Sequence, residues 1–333
     1  MKTIIKNKTY LYFCLSLLVS LSFMSCDDSF EPEILLIIDS TSIGEGETGD
    51  QVIITGTGFS ATPTKNLVTF NGVIATVSSS TTTTITTSVP KFASTGKITV
   101  TVNNEEAPGP VFNIILPPPT VLGYSSFEEV PTFVGDIFYR KVALDVELTN
   151  TQVNDSGSTD PYVDFTANGA ELGFDSTYEN IADTGATSER IGVFSNDNLE
   201  TAPGDFEARF EDGTQGFVAS DQDKTIKISF DEITTLNANS IDPKIEVKFF
   251  IASTTFEAGE GIQVYYETSA GLGTPIIEFL DDDAEAISGS WQIISGKIPD
   301  SQKTNGKIVI KLTSTSDSEM IFVDSVNLKA IIL

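Results

Sequence analysis

The chain contains no histidine. Among its 333 residues there are only two cysteines, one tryptophan, and 19 lysines and arginines against 47 aspartates and glutamates. Without imidazole there can be no Ser-His-Asp or Cys-His catalytic pair, no histidine-ligated zinc or haem, and no histidine general base. A formal net charge of -28 repels phosphate backbones, and no cluster of Lys or Arg follows the first eight residues, so nucleic acid is excluded as a partner. A phosphate-cradling glycine loop, a nucleophile elbow and a cysteine nucleophile are also missing. What is present is an apolar fraction of 40% with 22 phenylalanines, sufficient for a packed core, over a length that suits about two domains.

Lys2, Lys6 and Lys8 precede an apolar run from Leu11 to Met24 and then Ser25-Cys26. This reads as a signal peptide over 1–25, because the run is shorter than the roughly 20 residues a bilayer core requires. The small residue before a cysteine resembles a bacterial lipoprotein signal, which implies that Cys26 carries lipid and becomes the mature N-terminus. Cys14 would be removed with the leader, leaving no pair for a disulfide. Asp27, Asp28 and Glu31 make residues 26–32 an acidic tether. Two readings stand for it: a solvated spacer, or a resemblance to the export signal that sends lipoproteins to the outer face of the outer membrane. Loss of the leader removes three lysines and no acid, so the exported part is more acidic than the whole.

Residues 33–115 consist of short β-branched runs separated by glycine and polar turns, the pattern of a small β-sandwich. Asn71-Gly72 between two such runs predicts a tight hairpin, since both residues tolerate positive φ. The segments Ile53-Ile54-Thr55-Gly56-Thr57-Gly58-Phe59, Val68-Thr69-Phe70-Asn71-Gly72, Val89-Pro90, Thr95-Gly96 and Ile98-Thr99-Val100-Thr101-Val102 follow in an order that resembles the IPT/TIG immunoglobulin-like family. The resemblance implies a spacer or docking module. Ser78 to Thr87 is expected to form an ordinary strand rather than a mucin-like stalk.

Pro117, Pro118 and Pro119 make residues 116–119 a semi-rigid linker. Beyond it, residues 120–333 again lack helical periodicity. Strands are expected at Ile226 to Phe230, Ile245 to Ile251, Ile262 to Glu267, Trp291 to Ile294, Ile308 to Leu312 and Ile321 to Leu328, with a long polar stretch from Val153 to Asp205 that contains only weak strand signals and reads mainly as loop. The fold class is therefore all-β, an immunoglobulin-like sandwich followed by a jelly roll. Ser125-Ser126-Phe127-Glu128, Ser290-Trp291-Gln292-Ile293 and Ile321 to Leu328 resemble the first, a middle and the last strand of galactose-binding-like jelly rolls, a class containing many carbohydrate-binding modules. That resemblance implies a structural calcium held by Glu128 and Asp324, two carboxylates on terminal strands. Asp281, Asp282 and Asp283 lack calcium-loop spacing and read as a solvated loop.

A sugar site combines flat aromatic surface with a few convergent polar groups. Strand alternation turns Ile262, Val264 and Tyr266 inward and Gln263, Tyr265 and Glu267 outward. Likewise Ile245, Val247, Phe249 and Ile251 point in while Glu246, Lys248 and Phe250 point out. If these strands are neighbours, Tyr265, Glu267, Lys248 and Arg209 share one outer face. Trp291 is a further candidate contact, though its place suits packing, and Tyr162 and Tyr178 are alternatives on loops. The leading expectation is a non-catalytic lipoprotein on the cell outer membrane that binds a polysaccharide or oligosaccharide beside uptake-system surface proteins. The rival readings are an adhesive protein that binds another protein, and a carboxylate glycosidase or lyase, for which no acid pair stands out.

Overall fold

The computed structural model describes residues 34–128, 163–165, 171–179, 190–196, 210–220, 224–252, 256–315 and 319–333. Cys26, the acidic tether, Tyr162 and Arg209 lie outside the described residues. Two compact units divide between Asn113 and Ile114, with no strand over residues 115–119, where the proline linker is expected.

In the first unit, period-two alternation translates directly into burial. The run Gln51–Thr57 (β3) buries every second residue, Val52, Ile54 and Gly56. It sits in a four-stranded sheet with Ile37–Thr41 (β1), Val77–Ser80 (β6) and Thr84–Ser88 (β7), ordered β1-β3-β7-β6. The second sheet comprises Glu45–Gly46 (β2), Leu67–Phe70 (β4), Val73–Ala75 (β5), Gly96–Val102 (β8) and Glu105–Ile114 (β9), ordered β2-β9-β8-β4-β5. Phe70 and Phe112 meet edge to face at 5.1 Å in the core. Asn71 (φ 47) and Gly72 (φ 87) close the β4–β5 hairpin as expected. Asn71 also donates to Ser94 Oγ, and a Cβ on Gly96 would lie 2.3 Å from its side chain, which accounts for the glycine at that place. The serine- and threonine-rich tract differs from the expectation of a single strand. It forms the hairpin β6–β7, because Thr81 Oγ1 accepts the Thr83 and Thr84 amides and turns the chain.

The second unit is an antiparallel sandwich. One sheet runs Arg190–Ser195 (β13), Gln215–Ser220 (β14), Met320–Ile331 (β21), Ile241–Ala252 (β16), Gln292–Lys297 (β19), with Thr120–Ser125 (β10) also on β21. The other runs Val163–Phe165 (β11), Phe174–Tyr178 (β12), Lys224–Phe230 (β15), Lys307–Ser314 (β20), Gly261–Glu267 (β17), Ile277–Leu280 (β18). The shared core includes Phe127, Phe217, Phe230, Phe249, Tyr266 and Leu328, and every residue assigned inward on β16 and β17 belongs to it. Burial pushes the Tyr266 hydroxyl well above its ordinary pKa, and the group donates to Thr304 O at 2.8 Å. The connections that would define a jelly roll pass largely outside the described residues.

The polar stretch from Val153 to Asp205 contains β11, β12 and β13, and Tyr178 lies in β12, its backbone opposite Ile226. Cross-strand pairing to stronger strands outweighs their weak local propensity. Asp281–Ala286 is a short helix (α1), not a loop, and its three leading aspartates complement the positive N-terminal end of the dipole.

Candidate functional site

The centre of the site is a defect in a strand pair. Along β16 and β21, Lys248 stands opposite Ser325 and Phe249 opposite Val323, so Asp324 has no partner and forms a bulge. On the other edge of β21, β10 pairs with residues 326–330 and β14 with residues 320–323, so Asp324 also marks the place where one neighbour ends and the next begins. The segment leading into β14 is fastened there by two carboxylates. Asp324 Oδ2 accepts the amides of Glu211 (3.0 Å) and Asp212 (2.9 Å), and Glu128 Oε1 accepts those of Thr214 (2.6 Å) and Gln215 (2.5 Å). Gly213 (φ +96) passes so close that a Cβ would sit 2.5 Å from Glu128 Cδ.

Glu128 and Asp324 therefore come together at one junction, as their terminal-strand positions suggest. The arrangement does not suit the calcium ion expected of them. Calcium takes about six to eight oxygens at roughly 2.3–2.6 Å. Both Glu128 oxygens already accept hydrogen bonds, and Asp324 Oδ2 holds three donors, the third being Lys248 Nζ at 3.0 Å. Only Asp324 Oδ1, buried and without a partner, is left to a cation. Among the described residues no three acidic, histidine or cysteine side chains gather as a metal site would require.

Lys248 points outward as its alternation predicts and joins Asp324 to Glu211, 3.2 Å away. Burial alone would lower its pKa, but the hydrogen bond and charge of Asp324, and then of Glu211, outweigh that and hold the ammonium above the ordinary lysine range. Its Nζ lies 5.6 Å from the centroid of the Trp291 ring. Trp291, partly exposed, rests on Phe250 (5.6 Å) and Phe210 (6.1 Å), beside a second apolar cluster that includes Phe194, Met320 and Phe322. The tryptophan both packs and presents a surface.

From Trp291 a row of outward residues runs down three strands. Ile293, Lys248 and Ser325 come first, then Ser295, Glu246 and Asn327, then Lys297, Lys244 and Lys329. Six residue steps from Phe250 to Lys244 correspond to about 20 Å. Each lysine on it has a carboxylate partner: Lys329 pairs with Glu246 at 2.6 Å, and Asp242 takes Lys244 at 2.8 Å and Lys297 at 3.2 Å. The Lys244 ammonium bonded to it, with Lys297 adding, holds the Asp242 carboxyl below the usual range against the effect of burial. Ile293, 63% exposed, and Ser295 leave the middle of the row open to solvent. The alternation that placed Lys248 also places these residues; only the pairing partners were illegible.

The single outer face expected for Tyr265, Glu267, Lys248 and Arg209 is not formed. β16 and β17 are consecutive but belong to different sheets, so Tyr265 and Glu267 lie on the opposite side of the sandwich from Lys248 and Trp291. Tyr265 is 8% exposed under Lys311, whose Nζ is 5.3 Å from the ring centroid and 2.7 Å from Glu179. Burial raises the pKa of its phenol. Such a ring has little face for a ligand. Tyr265→Ala is expected to lower the melting temperature by several degrees while leaving ligand retention intact, measured by thermal denaturation beside affinity electrophoresis.

Sequence reasoning missed two buried glutamates at another end of the sandwich, Glu260 and Glu319. They share Thr315, whose hydroxyl donates to Glu260 and whose amide donates to Glu319. No spacing rule marks them, because their connection is made only by the fold.

Residues 36–113 match the IPT/TIG domain family. The match lies within the 33–115 span of the resemblance and covers less than half of the chain. No curated protein matched the sequence. Among solved structures, a β-sandwich-superfamily carbohydrate-binding module of promiscuous specificity aligns at 14% identity over 89% of this chain and 97% of that one, TM-score 0.27. An auxiliary nutrient binding protein from Bacteroides ovatus aligns at 16% identity over 60% of this chain and 36% of that one, TM-score 0.23. The K3 cleaved adhesin domain of Lys-gingipain from Porphyromonas gingivalis aligns at 11% identity over 41% and 90%, TM-score 0.29. Likeness at this level carries neither ligand nor activity across.

Proposed function

We propose that this protein is a non-catalytic, lipid-anchored surface protein that holds a polysaccharide on the outer face of β19, β16 and β21, with its IPT/TIG unit as a spacer. The observation that carries the reading is Trp291, partly exposed at the head of a long row of polar side chains and flanked by an ammonium. An aromatic surface next to hydroxyl, amide and charged groups is the chemistry of sugar recognition: ring CH groups stack while hydroxyls find donors and acceptors. Because each lysine of the row is already paired and the whole chain is strongly acidic, the face favours neutral over acidic glycans. Affinity electrophoresis of the purified protein against neutral and uronate-bearing polysaccharides tests this, with retardation expected in the neutral gels.

The anchor is a separate part of the proposal and rests on the leader and Cys26. Cys26→Ala should move the protein from the membrane fraction to the soluble one and remove the lipid mass from its N-terminal peptide, which fractionation and mass spectrometry would read. Retention of the variant in membranes would count against lipidation at Cys26.

A further inference from the structure

We infer that Tyr124 is a second sugar-binding ring on the same outer face, and that the glycan crosses the strands obliquely from Trp291 to reach it. The inference rests on the proposed glycan face and extends that face by one strand. β10 lies on the other edge of β21 from β16, so the sheet surface continues as β19, β16, β21, β10. Within β10, Gly123 faces the core, where a Cβ would meet Ile233 at 3.0 Å and Leu172 at 3.1 Å, and Ser125 and Phe127 are buried. Alternation therefore turns Tyr124 outward, partly exposed, and pairing sets it opposite Asn327, at the end of the row Ser295, Glu246, Asn327. Its backbone is held from both sides. One edge of β10 pairs with β21, and on the other the Tyr124 carbonyl accepts the Leu172 amide at 2.7 Å while Ser126 Oγ donates to Glu171. Among the described residues the Tyr124 hydroxyl has no hydrogen-bond partner and its ring no aromatic or ammonium neighbour. This separates it from Tyr265, covered by Lys311, and from Tyr266, buried and bonded to Thr304. A partly exposed ring on a fixed backbone can stack on a pyranose, and its free hydroxyl can bond one of the sugar's own. Trp291 packs on Phe250, and Tyr124 lies three strands across and four residues down from that position, about 14 Å by about 13 Å, or about 20 Å along the diagonal. Rings so far apart cannot share one sugar. They bind separate units of one chain, with the hydroxyl of Ser325 and the amide of Asn327 between them, and the tethered second contact strengthens the first. The ligand this selects is a linear, neutral glycan held along its interior over several units, rather than a single sugar or a chain end.

The test is titration calorimetry of the purified protein with oligosaccharides of graded length, disaccharide to octasaccharide, released from a neutral polysaccharide that retards the wild type. Wild-type affinity should climb with length and level off once one oligosaccharide reaches both rings. Tyr124→Ala should bind the shortest oligosaccharides as the wild type does and the longest about ten-fold more weakly. Tyr124→Phe should keep most of the gain with length, because the ring face remains. Trp291→Ala should weaken binding at every length. Tyr124→Ala should melt within a few degrees of wild type; if it does not fold, Tyr124→Thr keeps a strand-favouring residue there and reads the same loss. A Tyr124→Ala protein that matches wild type at every length overturns the inference, as does one weakened equally at every length. In either case a loss in Trp291→Ala leaves the glycan face standing. A Trp291→Ala protein that binds like wild type, or a wild type that binds no neutral glycan, removes the face and the inference together.

Discussion

Trp291→Ala is expected to weaken glycan binding by about thirty-fold or more, the effect of losing an aromatic anchor worth roughly 2 kcal/mol. The ring is held at its place by Phe250 and Phe210, and Lys248 keeps charge beside it. It is thus pre-positioned and loses little freedom when a sugar stacks on it. Because it also packs, its removal should lower the melting temperature by a few degrees, so loss of binding must be separated from loss of structure. Ile293→Asp does this. Ile293 is 63% exposed in the next row of the same face, so the substitution should leave stability within experimental error while reducing binding several-fold. Unfolding in both variants, or a binding loss confined to a less stable Trp291→Ala protein, would make the ring structural only.

Gly56→Ala should strongly destabilise the first unit with little effect on the second. Gly56 stands opposite Ile38 where β1 pairs with β3, and a Cβ there would lie 2.0 Å from Ile37 O and 2.7 Å from Phe59 Cζ. A backbone oxygen at that distance cannot yield without moving the strand that carries it, so the β1–β3 pairing must open or the core ring must turn. Overpacking of this kind costs about 3 kcal/mol. In a domain of this size each kcal/mol shifts the transition by about 4–8 °C, so scanning calorimetry should show the IPT/TIG transition more than ~10 °C lower and the other unmoved. Gly44→Ala is the control: nothing lies within 4 Å of its Cβ position, and its melting should match wild type or exceed it slightly.

The parts of this fold legible in the sequence are those governed by local rules. Period-two alternation correctly turned Val247 and Phe249 inward and Lys248 outward, because one face of each sheet is buried. Asn71-Gly72 announced its hairpin because few residue pairs accept its dihedrals. The site failed at the step that alternation cannot reach, namely which strands are neighbours. β16 and β17 follow each other yet lie in different sheets, which separated Tyr265 from Lys248 and left Tyr265 buried under Lys311. The acids Glu128 and Asp324 were placed at the right junction by their terminal strands, but the ammonium between Asp324 and Glu211 was not foreseen. A bulge set by the register of β16 against β21 brings it there, and a register is a property of two distant segments.

Titration calorimetry of the wild type, Trp291→Ala and Ile293→Asp against a neutral polysaccharide that retards the wild type decides whether the β19–β16–β21 face holds the ligand. Binding by the wild type, a loss of about thirty-fold or more in Trp291→Ala, and a several-fold loss in Ile293→Asp with unchanged melting are the predicted results. Equal affinity in all three proteins, or a wild type that binds no glycan of any charge, would contradict the account.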